Sequence, residues 1–244
     1  MDKSSNPALS KSALERLKAL DDTKRATVTG TTIKTLFFLA LTVGAGYFGW
    51  QSAATGTGLG LVIVASIVAF VAALATAFVP KLAAVGGGVY ALAQGYVLGA
   101  ISQIYNVQFD GIVLQAVGLT GAIFFVSLWF FQAGLIKVTN KFRIGVIIAT
   151  LGVALFYLVS WLVSLFTGTN IAAATTGAGT FGIVFSVIVV IIATLNLFLD
   201  FDMIQRLEKE GAPKLFEWYG AFALLVTIIW LYMEALRLLG RLRG

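Results

Sequence analysis

Seven long apolar runs constrain this chain more than any other feature of its sequence. They cover approximately residues 32–50, 58–79, 83–104, 111–132, 143–166, 180–200 and 215–239. About 20 apolar residues in a helix, rising about 1.5 Å each, cross the ~30 Å hydrocarbon core of a bilayer. Backbone polar groups must be satisfied inside lipid, so each run is expected to be an α-helix. The predicted fold is an all-α integral membrane protein: a seven-transmembrane-helix bundle (31–244) after a polar N-terminal tail (1–30).

Composition excludes a soluble domain and most familiar active-site chemistry. Of the 244 residues, 59% are hydrophobic and 11% are charged, which is more apolar surface than a soluble domain can bury. The chain contains no cysteine and no histidine, so thiol chemistry, histidine-based triads and the usual zinc sites are excluded. We predict neither an enzyme nor a cofactor. We interpret the net charge of +6 as topogenic and lipid-binding, with no nucleic-acid partner.

The basic residues predict the orientation in the membrane. The N-terminal tail and the second, fourth and sixth loops are basic, whereas the first, third and fifth loops carry no lysine or arginine. Cytoplasmic loops are enriched in basic residues, so the N-terminus and the even loops are expected in the cytoplasm. Residues 12–20 of the tail have the pattern of a short amphipathic helix. The exceptions are three arginines near the C-terminus, Arg237, Arg241 and Arg243. Either the seventh run re-enters the membrane or it spans fully, and we favour a full span.

Glycines inside the third run predict close helix packing. Gly95 and Gly99 have the small-xxx-small spacing that lets two helix backbones approach each other. Such a motif can join two copies of a chain or two helices of one chain. Packing within the chain explains it more simply.

The sixth run ends in carboxylates without a break in its hydrophobic pattern. Asp200 and Asp202 follow about fifteen residues whose polar groups are only hydroxyls, and Asn196 lies one turn before Asp200. An ionised carboxylate in hydrocarbon costs roughly 2.5–3.5 kcal/mol on insertion scales, so such a residue usually faces the protein interior and is functional. The alternative is that both aspartates are ordinary interfacial charges beside Arg206. We take the end of this helix as the candidate ion or proton site.

Two stretches of the chain resemble a known family. They are the third run, AVGGGVYALAQGYVLGAISQIYN, and the last third, from ATLNLFLDFDMIQRLEKEGAPK to WLYMEALRLLGRLR. Both are similar to the Bax inhibitor family, also called the transmembrane Bax inhibitor motif family, and most similar to its bacterial branch. The resemblance implies a seven-helix bundle in the bacterial plasma membrane, with the N-terminus in the cytoplasm. It implies a pH-sensitive calcium leak channel, or alternatively a non-conducting regulator that binds another membrane protein such as a membrane-bound protease.

The resemblance also assigns residues to the site. In the family, an aspartate at the end of the sixth helix pairs with one in the middle of the seventh, and protonation controls an opening between them. By motif, Asp202 takes the first position, with Asp200 as an additional acid, and both are candidate calcium ligands. The second position falls at or next to Thr227, which can form a hydrogen bond but cannot share an ionisable proton. Calcium and protons are thus expected as transported or bound ions that compete for one acid.

Several residues could replace the missing acid. Asp200 and Asp202 could pair with each other, although residues two apart on a helix project about 200° apart. Glu234 lies on the same helix face as Thr227, but it could instead form an ordinary ion pair with Arg237. Gln94 of the third run and Asn196 could contribute neutral oxygens.

A basic residue is also expected beside the acid. The resemblance places a latch near Lys81, which follows Pro80 at the end of the second run. A contact between Lys81 and Asp202 is therefore predicted. The alternative is that Lys81 only sets topology.

Overall fold

The computed structural model describes residues 25–167 and 179–244, and this part of the chain contains seven long helices. They are α1 (Val28–Ala54), α2 (Leu59–Phe78), α3 (Ala83–Gln108), α4 (Ile112–Gln132), α5 (Asn140–Thr167), α6 (Thr180–Lys209) and α7 (Phe216–Arg243). Each is long and apolar enough to cross a membrane, which confirms the predicted all-α, seven-helix fold. The predicted amphipathic helix at residues 12–20 and the centre of the fifth loop lie outside the described residues.

Helix α7 is the centre of the bundle. Half of the residues in its most apolar stretch are buried inside the protein, whereas only 17% are buried in the corresponding stretches of α2 and α5. It packs against α1, α3, α4 and α6. Phe222 and Leu225 of α7 lie in one buried cluster with Phe38 of α1 and Tyr90 of α3. Polar side chains on α7 are therefore shielded by neighbouring helices.

Glycines set the spacing between α1 and α3. A Cβ atom added to Gly99 would collide with the backbone of Gly46, and one added to Gly95 would collide with the backbone of Thr42. Lipid chains are as apolar as leucine, so close van der Waals packing replaces the hydrophobic effect as the force between such helices. The small-xxx-small spacing therefore serves a contact within the chain.

Helix α6 continues beyond its acidic residues. It ends at Lys209, so about two further turns follow Asp202. The side-chain directions of Asp200 and Asp202 are thus fixed by a continuous helix. This extension determines which neighbouring helix each carboxylate meets.

Helix α7 is also continuous, and its end contacts the opposite side of the bundle from its start. Arg243 donates to the carbonyl oxygen of Asp110 at 2.8 Å, just before α4 begins. Arg241 donates to the carbonyl oxygen of Gly182 at 2.9 Å, in the first turn of α6. The start of α6 and the end of α7 therefore lie together, as expected for a seventh helix that spans fully.

The continuous α7 leads to a prediction about topology. A reporter fused after Gly211 should appear in the cytoplasm, whereas reporters fused after Gly168 and after Gly244 should appear outside. The expected pattern can be measured with a phosphatase active only outside and a fluorescent protein active only inside. A cytoplasmic signal after Gly244, with the same signal after Gly211, would contradict a full seventh span.

Candidate ion and proton site

Asp200 faces α7 near the middle of the bundle. The side chain of Thr227 lies beside its carboxylate. The Thr227 hydroxyl also lies 3.3 Å from the carbonyl oxygen of Ala223, and it has only one hydrogen to donate. Asp200 Oδ2 is buried and has no hydrogen-bond partner in the part of the chain that the structure describes. Asp200 is thus an incompletely satisfied carboxylate inside the bundle.

A cavity of about 400 Å³ adjoins this carboxylate. It leads from Asp200 along α6 to Glu210, which caps the end of that helix. Arg143 of α5 and Arg206 of α6 also line it. The cavity therefore connects the buried acid to the predicted cytoplasmic end of the helices.

Asp202 has a different environment. Its Oδ2 accepts a hydrogen bond from Arg143 Nη2 at 2.7 Å and forms an ion pair with Arg206 Nε at 2.8 Å. Its side chain is 17% exposed, so the carboxylate is largely buried but compensated by two cations. The two aspartates point to different neighbours, as their angular separation requires, and do not form a pair. Of the two, Asp200 is thus the aspartate without a basic partner among the described residues, whereas the resemblance to the family implies that Asp202 forms the site.

The expected contact between Lys81 and Asp202 is not formed. Lys81 lies exposed in the short 3₁₀ turn Pro80–Leu82 between α2 and α3. Arg143, at the start of α5, occupies the position beside Asp202 instead. An arginine suits this position because its planar guanidinium keeps its charge and can bind a carboxylate while spanning two helices.

The proposed neutral oxygens do not surround Asp200. Asn196 donates to Thr150 Oγ1 of α5 at 2.8 Å and to the carbonyl oxygen of Ile192 at 2.9 Å. Gln94 makes no hydrogen bond with the residues described. Neither side chain hydrogen-bonds to Asp200, which lies beside Thr227 instead.

Glu234 forms the ordinary ion pair that was the alternative to its replacing the missing acid. It is fully buried and accepts a hydrogen bond from Arg237 Nη1 at 2.6 Å. Trp230 Nε1 donates to the same oxygen at 3.2 Å, and the Tyr157 hydroxyl lies 3.3 Å away. Glu234 lies about 10 Å beyond Thr227 along α7 and does not complete the site at Asp200.

Sequence reasoning overlooked two groups of residues. The first is Glu217, which is buried at the start of α7 and forms an ion pair with Lys34 of α1. The second consists of the side chains of α5 that reach α6 and α7: Arg143, Thr150 and Tyr157. Their spacing of seven residues was visible in the sequence and places them on one helix face.

Within residues 25–167 and 179–244, no group of three Asp or Glu side chains lies close enough to hold a metal ion. Asp200 and Asp202 diverge, and two arginines already neutralise Asp202. A resident calcium site with both aspartates as ligands therefore does not fit this arrangement.

These features define a class: a multi-pass membrane protein with a partly satisfied carboxylate between its sixth and seventh helices. A family model described as Bax inhibitor 1 like matches residues 6–244, essentially the whole chain. The chain belongs to that family. A comparison with curated proteins returned no match.

Proposed function

We propose that the protein is a pH-sensitive cation leak, with calcium as its principal ion and Asp200 as the acid that attracts it. The observation that carries this proposal is the buried Asp200 Oδ2, which has no partner among the described residues and belongs to a side chain that lines a cavity. An ionised carboxylate left without a partner in a membrane protein attracts a cation or a proton. Only the ionised form attracts calcium, so protons and calcium compete for the same oxygen.

The charges around the cavity support this assignment. Asp200, Asp202 and Glu210 are opposed by Arg143 and Arg206. These five side chains carry one net negative charge when Asp200 is ionised and no net charge when it is protonated. The cavity therefore favours cations only while Asp200 is ionised.

An apolar seal separates Asp200 from the other side of the bundle. Leu197 of α6 and Leu231 of α7 are fully buried, about one turn beyond Asp200 and Thr227 respectively. Their cluster includes Phe198 and Leu224. We infer that conduction requires α6 and α7 to separate at this seal, and that the described conformation is closed.

Calcium release from proteoliposomes tests the proposal. Wild-type protein should release trapped calcium to an external indicator, and release should fall as the pH is lowered and Asp200 takes up a proton. Two unit charges about 4 Å apart interact by about 4 kcal/mol at an effective dielectric constant of 20, so Asp200→Asn should lower release at least about tenfold. The same variant should also abolish the pH response.

Two variants serve as controls. Glu210→Gln removes an exposed charge from the same cavity and should change release only slightly. Asp202→Asn should retain the pH response, because it leaves in place Asp200, the acid that takes up the proton. An unchanged pH profile for Asp200→Asn would show that the wrong acid has been assigned. No release from wild-type protein would instead favour the non-conducting regulator.

A further inference from the structure

Helix α5 contacts the rest of the bundle along one narrow stripe of its surface, which we call the seam. Its backbone packs mainly against α6, and the rest of its surface is exposed apolar side chains. The buried residues of the helix are Val146, Val153 and Ser160, at intervals of seven. A helix buried along only one such stripe has little interface to hold it.

Polar contacts with the same interval secure the seam. Arg143 binds Asp202 at 2.7 Å near one end, and Thr150 accepts from Asn196 at 2.8 Å near the middle. Toward the other end, the Tyr157 hydroxyl lies 3.3 Å from Glu234, and its ring lies under the Arg237 guanidinium at 5.2 Å. Hydrogen bonds between membrane helices are individually weak, so these contacts can be broken and reformed.

Helix α5 also forms one wall of the cavity that leads to Asp200. Arg143 and Ile147 of α5 face Leu199, Met203 and Leu207 of α6 across it. Helix α2 is equally exposed, but it packs against α3 and contributes no residue to this cavity. Movement of α5 away from α6 would therefore widen the cavity directly.

We propose that α5 is a movable gate helix, held in place by the contacts of Arg143, Thr150 and Tyr157, and that its undocking widens the cavity at Asp200. The proposal extends the leak function above and rests on it for its physiological role. The movement itself does not depend on which ion passes.

Thiol labelling can measure this movement without measuring flux. The chain has no cysteine, so Met203→Cys introduces a single thiol in the cavity wall. A water-soluble, membrane-impermeant methanethiosulfonate reagent should modify it slowly in the closed state. Adding Thr150→Val should raise the rate roughly threefold, the factor that one average interhelical hydrogen bond supplies.

The Thr150→Val substitution is nearly isosteric and removes one of the two hydrogen bonds that the Asn196 amide group donates. Asn196 keeps its hydrogen bond to the Ile192 carbonyl oxygen. The matched control is Thr194→Val on α6, which removes a hydroxyl bound only to the carbonyl oxygen of Val190 in its own helix. This control should leave the labelling rate unchanged. Tyr157→Phe is a second test, because it removes the hydroxyl at the other end of the seam.

The outcomes separate the gate from the leak. Faster labelling in both Thr150→Val and Tyr157→Phe, with no calcium release from any protein, would support the gate and overturn the leak. Calcium release from wild-type protein, with unchanged labelling in both variants, would overturn the gate and retain the leak. Equal acceleration by Thr194→Val would also overturn the gate, because it would indicate general loosening of the bundle.

Discussion

Gly99→Val should prevent the protein from accumulating as a folded monomer. A Cβ atom at this position would meet the carbonyl group and Cα atom of Gly46 on α1. The obstruction is backbone, which cannot rotate away as a flexible side chain can. Overpacking typically costs 1–3 kcal/mol when side chains can adjust, so we expect a loss of about 3 kcal/mol or more.

The matched control for this variant lies on the same helix. A Cβ atom at Gly88 would have no atom within 4 Å, so Gly88→Val makes the same substitution in open space. Size-exclusion chromatography and thermal unfolding in detergent should show a large loss for Gly99→Val and little change for Gly88→Val. Similar unfolding temperatures for the two variants would mean that α1 and α3 do not need this close approach.

The number of helices was predictable because the bilayer sets the length of an apolar run. The ends were less predictable: α6 continues to Lys209, whereas its apolar run ends near Asp200. Charged residues can extend a helix into the interfacial region without adding to the hydrophobic pattern. The exact ends matter because they decide which side chains from the loops meet one another.

The identity of the free acid was not predictable from the motif alone. Asp200 and Asp202 are two residues apart and project about 200° apart, but the sequence alone does not show which of them faces α7 and which faces α5. The position of Thr227 opposite an acid was predicted, but the structure places it beside Asp200. The carboxylate at the predicted position, Asp202, binds Arg143 and Arg206 instead.

Partners distant in sequence were the hardest to predict. Arg143 was counted as a topogenic charge, and Glu217 was not singled out, because neither has a local sequence pattern that identifies its partner. Their ion pairs join residues that are 59 and 183 positions apart in the chain. Such contacts become visible only when the helices have been placed side by side.

Glu217 joins the first and last helices of the bundle. Its buried carboxylate forms an ion pair with Lys34 and accepts hydrogen bonds from Thr27 N and Thr27 Oγ1, both at 3.0 Å. Lys34 also lies over the Trp218 ring, with its Nζ atom 5.1 Å from the ring centroid. Removing one partner of a buried ion pair leaves an uncompensated charge and usually costs 3–5 kcal/mol.

Glu217→Gln should therefore destabilise the protein by about 3 kcal/mol, since the amide oxygen can still accept from Thr27 but cannot neutralise Lys34. Glu208→Gln is the control: Glu208 also accepts from the start of α1, at Val28 N, but it is exposed and should contribute less than about 1 kcal/mol. Unfolding can be followed by tryptophan fluorescence.

A double variant separates loss of the ion pair from loss of the side chain's shape. Lys34→Met removes the ammonium group that Glu217→Gln leaves unpaired, while its flexible apolar chain can still pack beside Trp218. If the unpaired charge causes the instability, Lys34→Met combined with Glu217→Gln should be more stable than Glu217→Gln alone. A double variant that is less stable by the sum of the two single losses would instead mean that Lys34 and Glu217 act independently, because energetically coupled partners do not give additive effects.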